Sequence, residues 1–247
     1  MRLDDQVILV SGAAGTIGHE VCRILGGAGA RLAVTDVHEA GLGALTAELT
    51  DAGVKSWGRA ADAANLADFE DLLAAARSEL GSVSGLVNVA GTFTIIDFTE
   101  SGPAHWDAMI SSNLMTAIVA CRAVLPEMVA QGAGSIVNFA STAGEYGSIR
   151  PSAAYAAAKG GVIGLTKSLA REVSPAGVRV NAISPGPINT PALQAASPDQ
   201  AAATAARTLL GRVGSPADIA FGVRYLLSAE SAFVTGTVLQ VNGGSLL

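Results

Sequence analysis

Short apolar runs rich in β-branched residues alternate with Ala- and Leu-rich stretches along the whole chain. The runs are QVILVS, RLAVTD, residues 54–61, GLVNVAG, SIVNFAS, VRVNAIS and TVLQVN, and helical patterns separate most of them. Apolar strands that alternate with helices are typical of a parallel sheet covered by helices on both faces. The sequence therefore predicts an α/β fold, a doubly wound parallel sheet of about seven strands. No linker divides the 247 residues, so we expect one domain over residues 1–247.

The charge balance argues against several classes of partner. The chain has 15 Lys and Arg against 21 Asp and Glu, a net charge of -6, and no basic cluster, so we expect no nucleic acid partner. Its apolar runs are broken well before the roughly 20 residues that span a bilayer. The N-terminal MRLDDQVILV lacks a signal-peptide pattern. We therefore expect a cytoplasmic protein with no membrane partner.

Two cysteines and three histidines offer no metal-ligand spacing. Cys22 and Cys121 lie far apart in predicted helices, and the sequence has no CxxC motif. We interpret both as packed thiols rather than as a disulfide or metal ligands, and we expect no metal site.

A glycine-rich turn follows the first predicted strand. The segment SGAAGTIG places Gly12, Gly15 and Gly18 between that strand and an amphipathic helix. Glycines let the backbone approach a pyrophosphate, and free N–H groups at the helix N-terminus meet its charge. The turn therefore predicts a dinucleotide site.

The second predicted strand ends in Asp36, about 20 residues after the turn. Its carboxylate can accept hydrogen bonds from the adenosine ribose of NAD. It would repel the 2′-phosphate of NADP, since two like charges 4 Å apart cost about 4 kcal/mol at an effective dielectric near 20. Val37 follows Asp36, and no Lys or Arg lies in the glycine turn. We predict NAD as the cofactor; the alternative is that Asp36 only caps the next helix.

The segment YAAAK places Tyr155 and Lys159 four residues apart, on one face of a helix. A free tyrosine has a pKa of about 10, and a neighbouring ammonium favours the phenolate. Tyr155 can then act as general base toward an alcohol and as general acid toward a ketone. Ser141, at the end of SIVNFAS, can hydrogen-bond the substrate oxygen, although a serine there is also a common cap.

Together these motifs resemble the short-chain dehydrogenase/reductase family over essentially the whole chain. The matching segments are SGAAGTIG, Asp36, Asp62, NVAG at 88–91, Asn113, Ser141, YAAAK, PGPINT at 185–190, and the late VTG and NGG. Four features depart from the family pattern. Ser11 replaces a Thr, the middle glycine moves to Gly15 with Thr16 in its usual slot, Val89 replaces an Asn, and the interval from Ser141 to Tyr155 is one residue longer.

The resemblance implies an oxidoreductase that transfers a hydride between NAD and a secondary alcohol or ketone. It implies that Asn113 holds a water linking Lys159 to solvent, and that Lys159 also reaches the nicotinamide ribose. It suggests a homotetramer, and the small residues of AAAKGGVIGL would let a partner helix approach. The cofactor contacts expected from the turn, the topology and the resemblance are Gly12, Gly15, Thr16, Ile17, Gly18, Asp36, Asp62, Ala63, Asn88, Ala90, Gly91, Tyr155, Lys159, Pro185, Gly186, Ile188 and Thr190.

Two other functions are weighed against this one. A 3-oxoacyl-carrier-protein reductase of this family commonly uses NADPH and basic residues near the active-site mouth; here residues 128–134 contain no Lys or Arg, and Asp36 disfavours NADPH. A non-catalytic dinucleotide sensor is disfavoured because Ser141, Tyr155 and Lys159 are all present.

Residues 189–216 interrupt the strand–helix rhythm after VRVNAIS. We predict that they form a substrate lid, with a surface helical hairpin as the alternative. The pocket is expected from residues 92–96, 143–150 and this segment, whose small, apolar composition favours a neutral or hydrophobic substrate. Tyr146 and Arg150 share the Tyr155–Lys159 spacing, but Gly147 and Pro151 oppose a helix there, and we expect Tyr146 to line the pocket.

Overall fold

A computed structural model describes residues 1–194 and 197–245 of the chain. Its strands are β1 Val7–Ser11, β2 Arg31–Thr35, β3 Ser56–Gly58, β4 Gly85–Asn88, β5 Gly134–Phe139, β6 Val178–Pro185 and β7 Val238–Val241. They form one parallel sheet of seven strands in the order β3-β2-β1-β4-β5-β6-β7. The predicted doubly wound parallel sheet is confirmed, although the third strand is shorter than its apolar run.

Helices cover both faces of the sheet. They are α1 Thr16–Gly27, α2 Glu39–Asp51, α3 Leu66–Leu80, α4 Pro103–Ile110, α5 Thr116–Gln131, α6 Thr142–Tyr146, α7 Ala153–Val173, α8 Pro191–Gln194, α9 Pro198–Ala205 and α10 Pro216–Leu227. One core cluster joins α1, α2 and α10 to Ile8 and Val10 of β1, and the other joins α3, α5 and α7 to Val7 and Leu9. Successive β1 side chains thus pack into the cores on opposite faces of the sheet, which explains why both faces of the strand are apolar.

The helical stretch Pro103–Gln131 is continuous but changes its winding. A π-helical turn, Ser111–Met115, joins α4 to α5, and Asn113 lies within it. By length and composition alone this stretch could cross a membrane, but half of its apolar window is buried inside the protein. Core helices pass the same test, and Cys121 of α5 is accordingly buried, as is Cys22 of α1. Burial raises the pKa of the Cys121 thiol to about 12, which matches the predicted packed thiols.

Strands β1 and β4 are neighbours, and the chain leaves them in opposite directions across the sheet. The carboxyl ends of parallel strands lie at one edge, and the loops that follow β1 and β4 diverge there. This edge carries the glycine turn, Asp36 and the NVAG segment.

Candidate active site

The glycine turn makes two close backbone approaches. Gly12 has φ of +68°, and a Cβ there would lie 2.5 Å from the amide nitrogen of Ala90. A Cβ on Gly18 would overlap the carbonyl oxygen of Gly12. Gly15 is the N-cap of α1, with no side-chain cap bond and no acidic residue in the first turn. The N–H groups of this helix end are therefore available to an anion, and the turn fits the pyrophosphate of a dinucleotide.

Asp36 is held by the turn that it faces. Its carboxylate accepts hydrogen bonds from the backbone N–H of Ala14 and of His38, both at 3.0 Å. The N-cap of α2 is His38 rather than Asp36. The capping interpretation of Asp36 therefore does not describe the structure, and the partly buried carboxylate borders the cleft beside the turn.

Two adjoining clefts bring most of the predicted residues together. A cleft of about 700 Å³ lies over the glycine turn, and one of about 510 Å³ lies over the YAAAK helix. Both are bordered by Ile17, Val89, Gly91, Thr92 and Thr190, so they form one groove. Predicted residues lining the first are Gly12, Gly15, Thr16, Ile17, Gly18, Asp36, Asp62, Ala63, Ala90, Gly91 and Thr190. Predicted residues lining the second include Asn113, Ser141, Tyr155, Lys159, Pro185, Gly186 and Ile188.

Tyr155 and Lys159 both lie on α7, as their spacing predicts. The Lys159 ammonium lies 5.8 Å from the centre of the Tyr155 ring and donates to the carbonyl oxygen of Phe139 at 2.8 Å. Burial lowers the pKa of Lys159 to about 8. The lysine is thus close to its titration point at neutral pH, and it can both hold and release a proton.

Burial raises the pKa of Tyr155, and a hydrogen bond with Ser141 opposes the rise. This direction is the reverse of the expectation from Lys159 alone. The reason is that desolvation of the phenolate is the largest influence, and Lys159 donates its hydrogen bond to Phe139 O rather than to the Tyr155 hydroxyl. Ser141 also caps α6, because its hydroxyl accepts from the Ala143 N–H at 3.2 Å. The serine therefore serves as a cap and also lines the cleft.

Asn113 directs an unsatisfied acceptor toward Lys159. Its amide nitrogen donates to the carbonyl oxygens of Thr92 at 2.9 Å and of Met109 at 3.1 Å, while its Oδ1 is buried without a partner. A Cβ on Gly91 would lie 2.6 Å from that Oδ1 and 3.4 Å from the Lys159 Nζ. Both side chains therefore approach the backbone of Gly91, and a buried acceptor such as Asn113 Oδ1 is rarely left unpaired, so it is suited to accept a hydrogen bond from a water.

Two predicted placements are not found. The Asn88 side chain is buried below the groove, where it donates to Asn138 Oδ1 at 2.8 Å and bonds β4 to β5. Tyr146 is not among the residues that line the groove, and its hydroxyl accepts from Gln240 Nε2 at 2.8 Å. Arg150 belongs to the expected pocket segment 143–150 and does line the substrate cleft; the helix ends at Tyr146 and the chain turns at Gly147, which has φ of +86°.

The groove also contains Phe93, from the expected pocket segment 92–96, and two serines that were not predicted. Phe93 sets its ring edge-on to Tyr155, with centroids 5.0 Å apart. Ser112 hydrogen-bonds Thr92, and Ser245 borders the cleft from beyond β7. Ser112 adjoins Asn113 in sequence, and Ser245 directly follows the NGG segment, so each has a signal in the sequence.

Residues 12–245 match the protein family described as Enoyl-(Acyl carrier protein) reductase. The chain is 35% identical over 249 residues to 2-(S)-hydroxypropyl-CoM dehydrogenase 3 of Xanthobacter autotrophicus, covering 98% of this chain and 97% of the relative. It is 38% identical over 244 residues to the 3-oxoacyl-[acyl-carrier-protein] reductase FabG of Vibrio cholerae, covering 99% and 98%. The crystal structure of gox2181 matches with a TM-score of 0.95 at 31% identity, over 99% of this chain and 96% of that one.

The chain therefore belongs to the short-chain dehydrogenase/reductase family. It is an oxidoreductase of that family, whose members use nicotinamide cofactors.

Proposed function

We propose that the protein interconverts a secondary alcohol and a ketone, with NAD as cofactor and Tyr155 as general acid and base. The observation that carries the proposal is the shared groove: Tyr155, Lys159 and Ser141 line one part of it, and the glycine turn with Asp36 lines the adjoining part. A reacting alcohol and a nicotinamide can thus meet beside one proton-transfer group.

The residues would divide the chemistry between them. The bound nicotinamide supplies the hydride donor or acceptor. Tyr155 gives its hydroxyl proton to the ketone oxygen in reduction and takes it back in oxidation. Ser141 donates a hydrogen bond to the same oxygen as its charge changes. Lys159 resupplies the proton to Tyr155, and a water held by Asn113 Oδ1 connects Lys159 to solvent.

Selection of NAD over NADP rests on Asp36. Its carboxylate is fixed by two backbone N–H donors, so it cannot swing away from an incoming 2′-phosphate without losing both bonds. None of the described residues lining this cleft is Lys or Arg, and a 2′-phosphate would meet no cation there.

A second candidate is a 3-oxoacyl-carrier-protein reductase, which the 38% identity to FabG favours. Residues 128–134 offer no cation to an acidic carrier protein, and Asp36 opposes NADPH. The simple alcohol–ketone reaction is therefore our first choice.

We also propose that residues 189–216 act as a substrate lid on a single catalytic domain. Leu193, Thr204 and Arg207 of this segment line the substrate cleft. Its two ends meet, because the Asn189 N–H donates to Gly214 O at 2.8 Å and the Gly214 N–H donates to Pro187 O at 3.0 Å. Ala195 and Ala196, in the middle of the segment, lie outside the described residues.

A homotetramer in the cytoplasm completes the proposal. Large apolar side chains are exposed on α4 and α5, on α10 and after it: Trp106, Val129, Phe221 and Phe233. Exposed apolar surface of this kind is typical of a protein–protein interface. Light scattering at micromolar concentration tests the assembly, and a monomeric mass contradicts it.

The deciding experiment is a screen of secondary alcohols and ketones with NAD or NADP, read at 340 nm. We expect turnover with the NAD pair and at least tenfold lower kcat/KM with the NADP pair. Turnover confined to acyl-carrier-protein substrates with NADPH would select the second candidate. A complete lack of turnover with bound cofactor would indicate a dinucleotide sensor.

A further inference from the structure

The substrate part of the groove carries positive charge that the reaction described above does not use. Two arginines line it besides Lys159, namely Arg150 and Arg207. None of its described lining residues is Asp or Glu. This is unusual in a chain of net charge -6. Within residues 1–194 and 197–245, neither guanidinium makes an ion pair or donates a hydrogen bond.

Arg150 is presented by a fixed loop. The Ile96 N–H donates to Pro151 O at 2.9 Å, and this bond ties the loop after α6 to the loop after β4. The hydroxyl of Ser152, which is buried, bonds Ser148 at 2.6 Å and the Arg150 carbonyl oxygen at 3.3 Å. The Arg150 backbone is thus held on both sides, and only its side chain extends into the mouth of the cleft.

Arg207 is held equally well in the segment that follows α9. Its neighbour Thr208 is buried, and the Thr208 hydroxyl accepts from the Arg212 N–H at 3.1 Å. Further along, the Leu210 N–H donates to Gly243 O at 3.2 Å, which attaches the segment to the turn after β7. In this conformation Arg207 therefore reaches the cleft from a segment that is bonded to the turn after β7.

We propose that the substrate carries an oxyanion, and that Arg150 and Arg207 bind it while its alcohol or ketone carbon lies at Tyr155. This inference rests on the proposed function and narrows its substrate class. Arginine forks match carboxylate, sulfonate and phosphate oxygens, and unpaired guanidinium groups in an acid-free cleft attract them. The proposal replaces the neutral or hydrophobic substrate expected from composition, since that expectation gave no weight to the two arginines within the expected pocket segments.

Matched pairs of substrates test the proposal. The pairs are acetoacetate, 4-oxopentanoate and 5-oxohexanoate, each beside its methyl ester, which keeps the skeleton and removes the charge. We expect kcat/KM with NADH to favour the best acid over its ester by about tenfold or more, mainly through KM. A further pair is acetoacetyl-CoA and the N-acetylcysteamine thioester of acetoacetate, which share the ketone but differ in that only the CoA thioester carries phosphates. A preference for acetoacetyl-CoA indicates that the oxyanion is a phosphate distant from the ketone, and a preference for the acids over their esters indicates a carboxylate close to it.

Charge-removing variants assign the effect to the two residues. R150Q and R207Q should each lower the acid-to-ester preference about threefold to tenfold, and the double variant should remove it. The matched control is R171Q, which removes an exposed guanidinium from the far end of α7 and should leave the preference at the wild-type value.

Equilibrium binding separates this inference from the proposed function. Calorimetric titration with 5-oxohexanoate and its methyl ester needs no turnover. Tighter binding of the acid to wild type, lost in the double variant, supports the oxyanion site even if no ketone is reduced. Equal binding and equal kcat/KM for acid and ester in the wild-type protein would overturn the inference, whereas the proposed function would stand if both were reduced.

Discussion

Replacing Lys159 by Met should change how the stability of the protein depends on pH. The ammonium is buried, and burial lowers its pKa to about 8 from an unfolded value near 10.5. Each unit of pKa shift corresponds to about 1.36 kcal/mol, so the charged form of Lys159 destabilises the folded state by about 3 kcal/mol below pH 8. Met fills a similar volume without the charge, so it removes this cost.

The sign of the effect follows from the proton count. Between the folded pKa of about 8 and the unfolded pKa near 10.5, the unfolded chain binds more protons on Lys159, so this group makes the wild type more stable as pH rises. The difference in unfolding free energy between K159M and wild type should therefore fall by about 2 kcal/mol from pH 6 to pH 9.5. K159M also loses the hydrogen bond to Phe139 O, which lowers its unfolding free energy by a similar amount at every pH. This loss therefore does not alter the expected difference between pH 6 and pH 9.5.

Urea unfolding of both proteins without cofactor, at equal concentration and at both pH values, measures the difference. The cysteines and Tyr155 also ionise in the unfolded chain at high pH. Their effect on the unfolding free energy is the same in both proteins, so it cancels in the difference between K159M and wild type. K167M is the control, because Lys167 lies on the same helix and is exposed; its difference from wild type should not vary with pH. If the difference in unfolding free energy between K159M and wild type is the same at pH 6 and pH 9.5, burial does not lower the pKa of Lys159.

Three further outcomes are expected. Asp36→Ala should narrow the ratio of kcat/KM for NAD over NADP by at least about tenfold, because it removes a fixed charge without adding a cation; an unchanged ratio places selection elsewhere. Tyr155→Phe should reduce turnover by about 100-fold or more while the NAD dissociation constant stays near the wild-type value; retention of a tenth of the activity contradicts general acid–base catalysis by the phenol. Amide hydrogen exchange in residues 197–213 should slow when NADH and substrate bind, and equal, strong protection with and without ligands would instead show a fixed helical hairpin.

The sheet could be predicted because its strands are apolar on both faces and are separated by helical patterns of ordinary length. One helix, α3, is absent from the predictions although its cap is visible in the sequence. Asn65 Oδ1 accepts from the N–H groups of Ala67 and Asp68, and the apolar positions Phe69, Leu72, Leu73 and Ala76 follow at helical spacing.

The predicted site residues divide according to what fixes them. The glycine turn and the Tyr155–Lys159 pair depend on local spacing, and the structure places them in one groove. Asn88 was expected beside the cofactor, but side chains alternate along a strand, and its register on β4 turns it into the interior toward Asn138. Whether the Tyr146 and Arg150 side chains reach the groove depends on where α6 ends. Tertiary packing sets that end, and the four-residue spacing of the two residues does not reveal it.

The paired ends of residues 189–216 have an evolutionary consequence. Because Pro187 and Asn189 both bond Gly214, the two ends of the intervening chain meet, and Leu210 adds one further backbone bond to Gly243. The cost of closing such a loop grows slowly with its length, by about 0.6 kcal/mol for each doubling. Insertions or deletions in this proposed lid should thus leave the sheet, the glycine turn and Tyr155 in place. In the proposed function, the residues of the reaction and those that select the substrate can therefore vary independently.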